Sequence, residues 1–445
     1  MAQRRTDQDV LSKKDNESDN DLSIRDPVND DSTTHSSDQI LVLHPAPRAR
    51  GWQRLLCSPF TIASLTLFFT LMALLWPGQR PIHPTNYTER TRRVLSSTPL
   101  IDGHNDLPLM LRIELHNRIY NGLFDFSKRL LGHTDLKRMR QGMWTIRDTL
   151  EQIDVTRRFI SEHPRDLKYC DTATCVRKAF KSGHIASMIG IEGGHQVGSS
   201  IATIRQMYEL GARYMTLTHN CDNAFATAAS TIAADPKRHD EGLTNLGIIA
   251  VRYMNRMGMM VDLSHVSHQT MRDVLSVTRA PVIFSHSGAY GVSAHLRNVP
   301  NDVLSSLNQN GGIDMVVSVK EFLSIKSPEQ ASIYDVVDHV LFIAEACGWE
   351  CVGIGSDFFG AALAPIGLED VSKFPSLIEL LMQQGVTDEQ IRMLVGDNIL
   401  RVWAAVEKRA SEIQESGEKP AEEEYEERYW TEGLPGDPHM FRRGS

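Results

Sequence analysis

Two stretches decide the fold when they are taken together: Met259-Met260-Val261-Asp262-Leu263-Ser264-His265 and Pro281-Val282-Ile283-Phe284-Ser285-His286. Each is a short apolar run that ends in a histidine. Runs of this length read as buried strands, and strands buried on both faces belong to parallel sheets. Five more runs end near Asp102 (Pro-Leu-Ile-Asp), Ile191, Leu217, Val319 and Ile354. Between the runs lie helical stripes such as Ile201, Ile204, Met207, Tyr208, Leu210 and Val336, Val337, Val340, Leu341, Ile343, spaced by threes and fours. This alternation predicts an α/β fold of the TIM-like (β/α)8 barrel type, with one strand fewer than a closed barrel needs.

Barrel enzymes place their chemistry at the carboxyl ends of the strands, and here those ends carry metal-ligand side chains. His104 and Asp106 in Leu-Ile-Asp-Gly-His-Asn-Asp point the same way from an extended segment, because they stand two residues apart. Glu192 follows Met-Ile-Gly-Ile, His219 follows Leu217-Thr218, His265 follows Val-Asp-Leu-Ser, and His286 follows Val-Ile-Phe-Ser. A lone histidine is more often a hydrogen-bonded core residue, but five successive strand ends argue for a site. The set suffices for two zinc ions: His104 and Asp106 for one, His265 and His286 for the other, with Glu192 bridging. Such a pair would activate a shared water as hydroxide, which makes hydrolysis the expected chemistry. His219 could polarise a carbonyl or stabilise an oxyanion. Arg297 could grip a free carboxylate with its fork, and Asp357 could relay a proton or bind an ammonium.

The chain has 445 residues and a net charge of −9, with no cluster of basic and aromatic residues, so nucleic acid is not an expected partner. Residues 1–54, rich in Asp, Ser, Asn and Arg, read as a disordered tail. Phe60 to Trp76 carry no charge, and with Leu55 to Pro59 they read as one transmembrane signal-anchor helix over 55–76. Arg48, Arg50 and Arg54 precede it and Arg80 alone follows closely, which places the tail in the cytosol and the rest outside or in a lumen, as a type II membrane protein. A stalk (77–95), the barrel (96–408) and a charged tail (409–445) complete the expected organisation. Asn86-Tyr87-Thr88 is a glycosylation sequon on the outer side, whereas Asn16-Glu17-Ser18 should stay unmodified. Five cysteines lie beyond the span, so they cannot all pair internally.

The motifs Ile-Asp-Gly-His-Asn-Asp-Leu-Pro, Ile-Gly-Ile-Glu-Gly-Gly-His, Leu-Thr-His-Asn-Cys, Val-Asp-Leu-Ser-His-Val-Ser, Val-Ile-Phe-Ser-His-Ser and Arg-Asn-Val-Pro-Asn-Asp occur in this order. Together they resemble the membrane dipeptidase (renal dipeptidase) family, over residues 96 to about 408. The resemblance implies a TIM-like barrel with a binuclear zinc centre that hydrolyses dipeptides and tolerates a D-residue at the C-terminal position. It matches the metal ligands to His104, Asp106, Glu192, His265 and His286. It also matches the carbonyl-side histidine to His219, the carboxylate-binding arginine to Arg297 and the proton-handling aspartate to Asp357.

The chain departs from the family pattern in several places. Gln141 to Asp148 is all that stands where the family has its second strand, so that strand is missing or makeshift here. The same shortening removes the family's partner for the cysteine matching Cys221. Phe359 stands where the family has a second aspartate. Two alternatives accompany the leading expectation: a related barrel amidohydrolase acting on lactams or N-acyl amino acids, and a catalytically dead membrane-tethered binding protein. Homodimer formation is left open.

Overall fold

Six strands run parallel, side by side in chain order: β3 (Ile189–Glu192), β4 (Ala212–Thr216), β5 (Met260–Asp262), β6 (Ile283–Ser287), β7 (Ile313–Val316) and β8 (Val352–Ile354). This computed structural model describes residues 83–108, 111–112, 146–361 and 363–422. The expected transmembrane helix, both expected tails beyond these limits and Gln141 to Thr145 lie outside the described residues. Among the described residues no helix is long and apolar enough to cross a membrane.

Sequential parallel strands need crossovers, and the local sequence supplies them with firm ends. The helix Asn245–Met257, between β4 and β5, starts where Thr244 accepts a bond from the Gly247 amide. It stops at Gly258, whose φ of 86° suits a residue without a Cβ. Ser267 caps the next crossover, His268–Val277, in the same way. Their apolar stripes, Val251 and Met254 or Met271 and Val274, are buried in one large core layer with Met215, Val261 and Phe284 of the strands. Alternate strand residues, Tyr214, Met260, Ile283, Ile313 and Met315, face a second cluster closed below by Leu400 and Trp403. The strands are therefore covered on both faces, as their unbroken apolar runs require.

The segment around Asp102 joins the far edge of this sheet through parallel bridges from Asp102 to Ile354 and from Asn105 to Phe358. Its carboxylate accepts the Ser356 amide at 2.6 Å, and Ile101 donates to the Val395 carbonyl at 2.7 Å. Among the described residues no strand pairs with both this segment and β3. A cavity of about 810 Å³ lies there, walled by Ile101 and Gly103 on one side and Gly190 on the other.

Six of the seven expected runs contain strands of this sheet and the run at Asp102 forms only isolated bridges to its edge, with two further differences. Ala186 to Ile191 is split: β2 (Ile185–Ser187) pairs with β1 (Leu167–Tyr169) in a separate parallel pair, and β3 begins after Met188. The run toward Val319 stops as a strand at Val316, because the Val317 and Ser318 amides turn to the Ser287 and Ser356 carbonyls.

Packed structure also extends beyond the expected barrel limits. A helix over Tyr87–Ser97, most of it in the segment expected as a stalk, buries Thr91 and Val94, and the last helix among the described residues runs through Asn398–Glu415. Disulfides join Cys170 to Cys175 and Cys347 to Cys351, while Cys221 is free and exposed.

Candidate metal centre

Every strand-end residue singled out from the sequence reaches the same end of the sheet. Glu192 is the last residue of β3, His286 lies within β6, and His219 and His265 follow β4 and β5 by three residues. His265 and Asp357 adopt left-handed backbone, with φ of 67° and 60°, conformations that non-glycine residues keep only where the surroundings impose them.

Glu192 is the hub. Its Oε1 lies 3.0 Å from His265 Nε2, 3.2 Å from His286 Nε2 and 3.5 Å from His104 Nε2, and its Oε2 lies 3.9 Å from His219 Nε2. His104 Nε2 also lies 3.5 Å from Asp106 Oδ2 and 3.8 Å from Asp357 Oδ1. Three overlapping groups have ligand atoms close enough to share an ion: His104, Asp106 and Asp357; His104, Glu192 and His286; Glu192, His219 and His265. The sequence paired His265 with His286 and left His219 and Asp357 off the metals. Here Asp357 sits with His104 and Asp106, and His219 with Glu192 and His265. Arg297 is buried behind the site, with Nη2 3.5 Å from the His286 carbonyl and its Nε and Nη1 without partners.

These residues fit a cation better than they fit one another. His104 Nε2 is buried with no hydrogen-bond partner, and His265 and His286 bring two ring Nε2 atoms to 2.9 Å. Two neutral imidazoles at that distance can satisfy each other only once, whereas imidazole nitrogens and carboxylate oxygens are the donor set of zinc.

The electrostatics point the same way. Burial opposes charge on His104, but Glu192, Tyr214 and Asp106 outweigh it and raise its pKa well above the usual histidine value. Burial and the neighbouring His104 push His286 down to about 3. Burial raises Asp357, with Asp106 and Glu192 adding to the rise against the pull of His104. Glu192 and Asp106 thus favour a proton on His104, while burial and that neighbouring charge disfavour one on His286.

Sequence reasoning did not single out four further residues. Tyr214 lies across the face of Gly190, where a Cβ would come within 2.0 Å of its ring, and its hydroxyl is 3.2 Å from His104 Nδ1. Asp262 and Ser285 form a chain to His286 Nδ1, and His195 stands near His219 with ring centroids 6.3 Å apart. A carboxylate inside the apolar run Met-Val-Asp-Leu was the available signal for Asp262.

A parallel α/β sheet with histidines and carboxylates converging at its carboxyl edge defines a metallohydrolase. Residues 88–417 match the model of the membrane dipeptidase family, peptidase family M19. The chain belongs to that family, and it is a dipeptidase by membership. It is 45% identical over 370 residues to an uncharacterized dipeptidase of Schizosaccharomyces pombe, spanning 77% of this chain and 88% of that one.

Among solved structures it is similar to a probable dipeptidase from Pseudomonas aeruginosa (19% identity, TM-score 0.62, 74% of this chain and all of that chain). A second is a metallo peptidase from Rhodobacter sphaeroides liganded with a phosphinate mimic of the dipeptide L-Ala-D-Ala (23% identity, TM-score 0.61). That match covers 70% of this chain and 99% of the other. These two likenesses establish the fold.

Proposed function

We propose that this chain hydrolyses dipeptides at a binuclear zinc centre held by His104, Asp106, Glu192, His265 and His286, and accepts a D-residue at the C-terminal position. The observation that carries the reading is Glu192, whose Oε1 lies within 3.5 Å of three imidazole Nε2 atoms. When bound, two zinc ions there would lower the pKa of a shared water and polarise the scissile carbonyl.

The protein's own residues do the rest. Arg297, buried with two unpartnered guanidinium nitrogens, is aimed to pair with the substrate's free carboxylate. His219, half-buried beside Glu192, is placed to donate to the oxygen that gains charge when the carbonyl is attacked. Asp357, whose Oδ1 lies 3.8 Å from His104 Nε2, is placed to take a proton from the attacking water and pass it to the departing amine. The tolerance of a D-residue rests on the resemblance and on the dipeptide mimic carried by the Rhodobacter sphaeroides structure.

The same reading places the enzyme on the outer or luminal side of a membrane, anchored by residues 55–76. Two disulfides favour an oxidising compartment, and Asn86 and Thr88 of the sequon are exposed. The test is a substrate panel on the full-length protein: L-Ala-L-Ala, L-Ala-D-Ala, their C-terminal amides, N-acetyl-alanine and a β-lactam. Turnover of both free dipeptides is expected. Turnover of N-acetyl-alanine or the lactam alone would overturn the assignment.

A further inference from the structure

Directly beneath the ligands lies a polar layer made by inward-facing residues of three neighbouring strands: Tyr214 and Thr216 on β4, Asp262 on β5 and Ser285 on β6. Polar groups this deep need a reason, because each must be satisfied inside the protein. Asp262, fully buried, accepts four hydrogen bonds: Thr216 Oγ1 at 2.6 Å, Ser285 Oγ at 2.5 Å, the Ser285 amide at 2.9 Å and the Ser264 amide at 3.0 Å. Ser264 Oγ in turn accepts the His286 amide at 2.9 Å.

The chain ends on a metal-ligand histidine. Ser285 Oγ lies 2.8 Å from His286 Nδ1. A hydroxyl has one proton, and Ser285 gives it to Asp262, so toward His286 it offers only a lone pair. His286 Nδ1 must then carry the ring proton. Its Nε2 is left as a bare lone pair facing Glu192.

The same logic holds at His104 with different residues. The Tyr214 hydroxyl donates to the Gly103 carbonyl at 3.3 Å and lies 3.2 Å from His104 Nδ1. Its oxygen therefore accepts from Nδ1, and Nε2 again faces Glu192 and Asp106. Gly190 makes this reach possible, since any side chain there would meet the tyrosine ring. By contrast, His265 Nδ1 has no partner, so the support is selective.

We propose that Tyr214 and the Asp262–Ser285 pair are positioning residues that fix His104 and His286 as Nε2 donors to a divalent cation. The inference rests on the binuclear reading. It adds that the floor of the sheet, and not only the strand ends, sets the strength of the site, in the way that outer hydrogen-bond partners orient ligand imidazoles in general.

The experiment uses the full-length protein stripped of metal and titrated with cobalt(II), whose visible absorption reports ligand identity and geometry. Tyr214→Phe and Ser285→Ala are compared with the parent for cobalt affinity, absorption band and thermal unfolding of the metal-free form. Each variant is expected to bind cobalt about 10- to 100-fold more weakly with an altered band. Tyr214→Phe keeps the ring over Gly190, so its metal-free form should fold and lose only the small stability that the hydroxyl's bonds to Gly103 and His104 supply. If Ser285→Ala does not fold, Tyr214→Phe alone decides. Parental affinity and an unchanged band would overturn the proposal, as would a loss fully matched by destabilisation of the metal-free form with the band unaltered. A parent that binds no cobalt would instead overturn the binuclear reading itself.

Discussion

Replacing Arg297 with methionine separates recognition of the substrate's carboxylate from everything else in the site. Arg297 is only 4% exposed, and burial lowers its pKa to about 10 against the pull of Asp357. It remains a cation at neutral pH, with Nε and Nη1 unpartnered. Removing one member of a buried, hydrogen-bonded charge pair costs about 2–5 kcal/mol, which is roughly 30-fold to several-thousand-fold in kcat/KM. Methionine keeps apolar bulk against Phe322, whose ring centre lies 5.1 Å from the guanidinium carbon. The assay compares L-Ala-L-Ala with L-Ala-L-Ala amide. The parent should strongly prefer the free acid, and the variant should lose that preference while its rate on the amide changes little. An equal loss on both substrates would show that Arg297 supports the fold of the site and does not read the carboxylate.

Three further outcomes are expected. Asp106→Asn should weaken metal binding and abolish most dipeptide hydrolysis, measured by bound zinc and turnover, because it removes an anionic ligand 3.5 Å from His104 Nε2. Gly360→Ala should also weaken metal binding, since a Cβ there would come within 2.0 Å of Asp357 Oδ1 and 2.5 Å of Asp106 Oδ2 and displace both carboxylates; metal stoichiometry checks it. Asp314→Val should stabilise the protein at neutral pH by roughly 1–3 kcal/mol, read by denaturant unfolding, because the buried Asp314 carboxyl has no hydrogen-bond partner.

The pH dependence of that last effect has a definite sign. Burial raises the Asp314 pKa well above its ordinary value, so above about pH 4 the unfolded chain releases a proton that the folded chain keeps. Stability of the parent should therefore fall with rising pH from that point up to the raised folded pKa. The advantage of Asp314→Val should widen over the same range and then level off.

Much of the site was legible because the sheet is parallel and sequential. In such a sheet every apolar run ends on the same side, so the residue after each run can be assigned to one site without knowing the register. His104, Glu192, His265 and His286 were readable for that reason. The grouping of Asp357 with Asp106 was not, because it depends on left-handed backbone at Asp357 and on the missing Cβ of Gly360.

Tyr214 and Ser285 escaped notice because their role is a hydrogen bond across strands, and strand-to-strand register is not written in either strand alone. The small β1–β2 pair was hidden for a different reason. Its strands have three residues each, and Ile185 is 63% exposed, so no buried period marks them. The shortened stretch near Gln141 was legible as a departure, and most of it lies outside the described residues.

The most direct test of the account is the metal itself. The full-length protein is purified, its zinc content measured, and L-Ala-D-Ala hydrolysis followed before chelation, after chelation and after zinc is restored. The account predicts two zinc ions per chain and turnover that disappears and returns with them. Turnover that persists in the metal-free protein would contradict it.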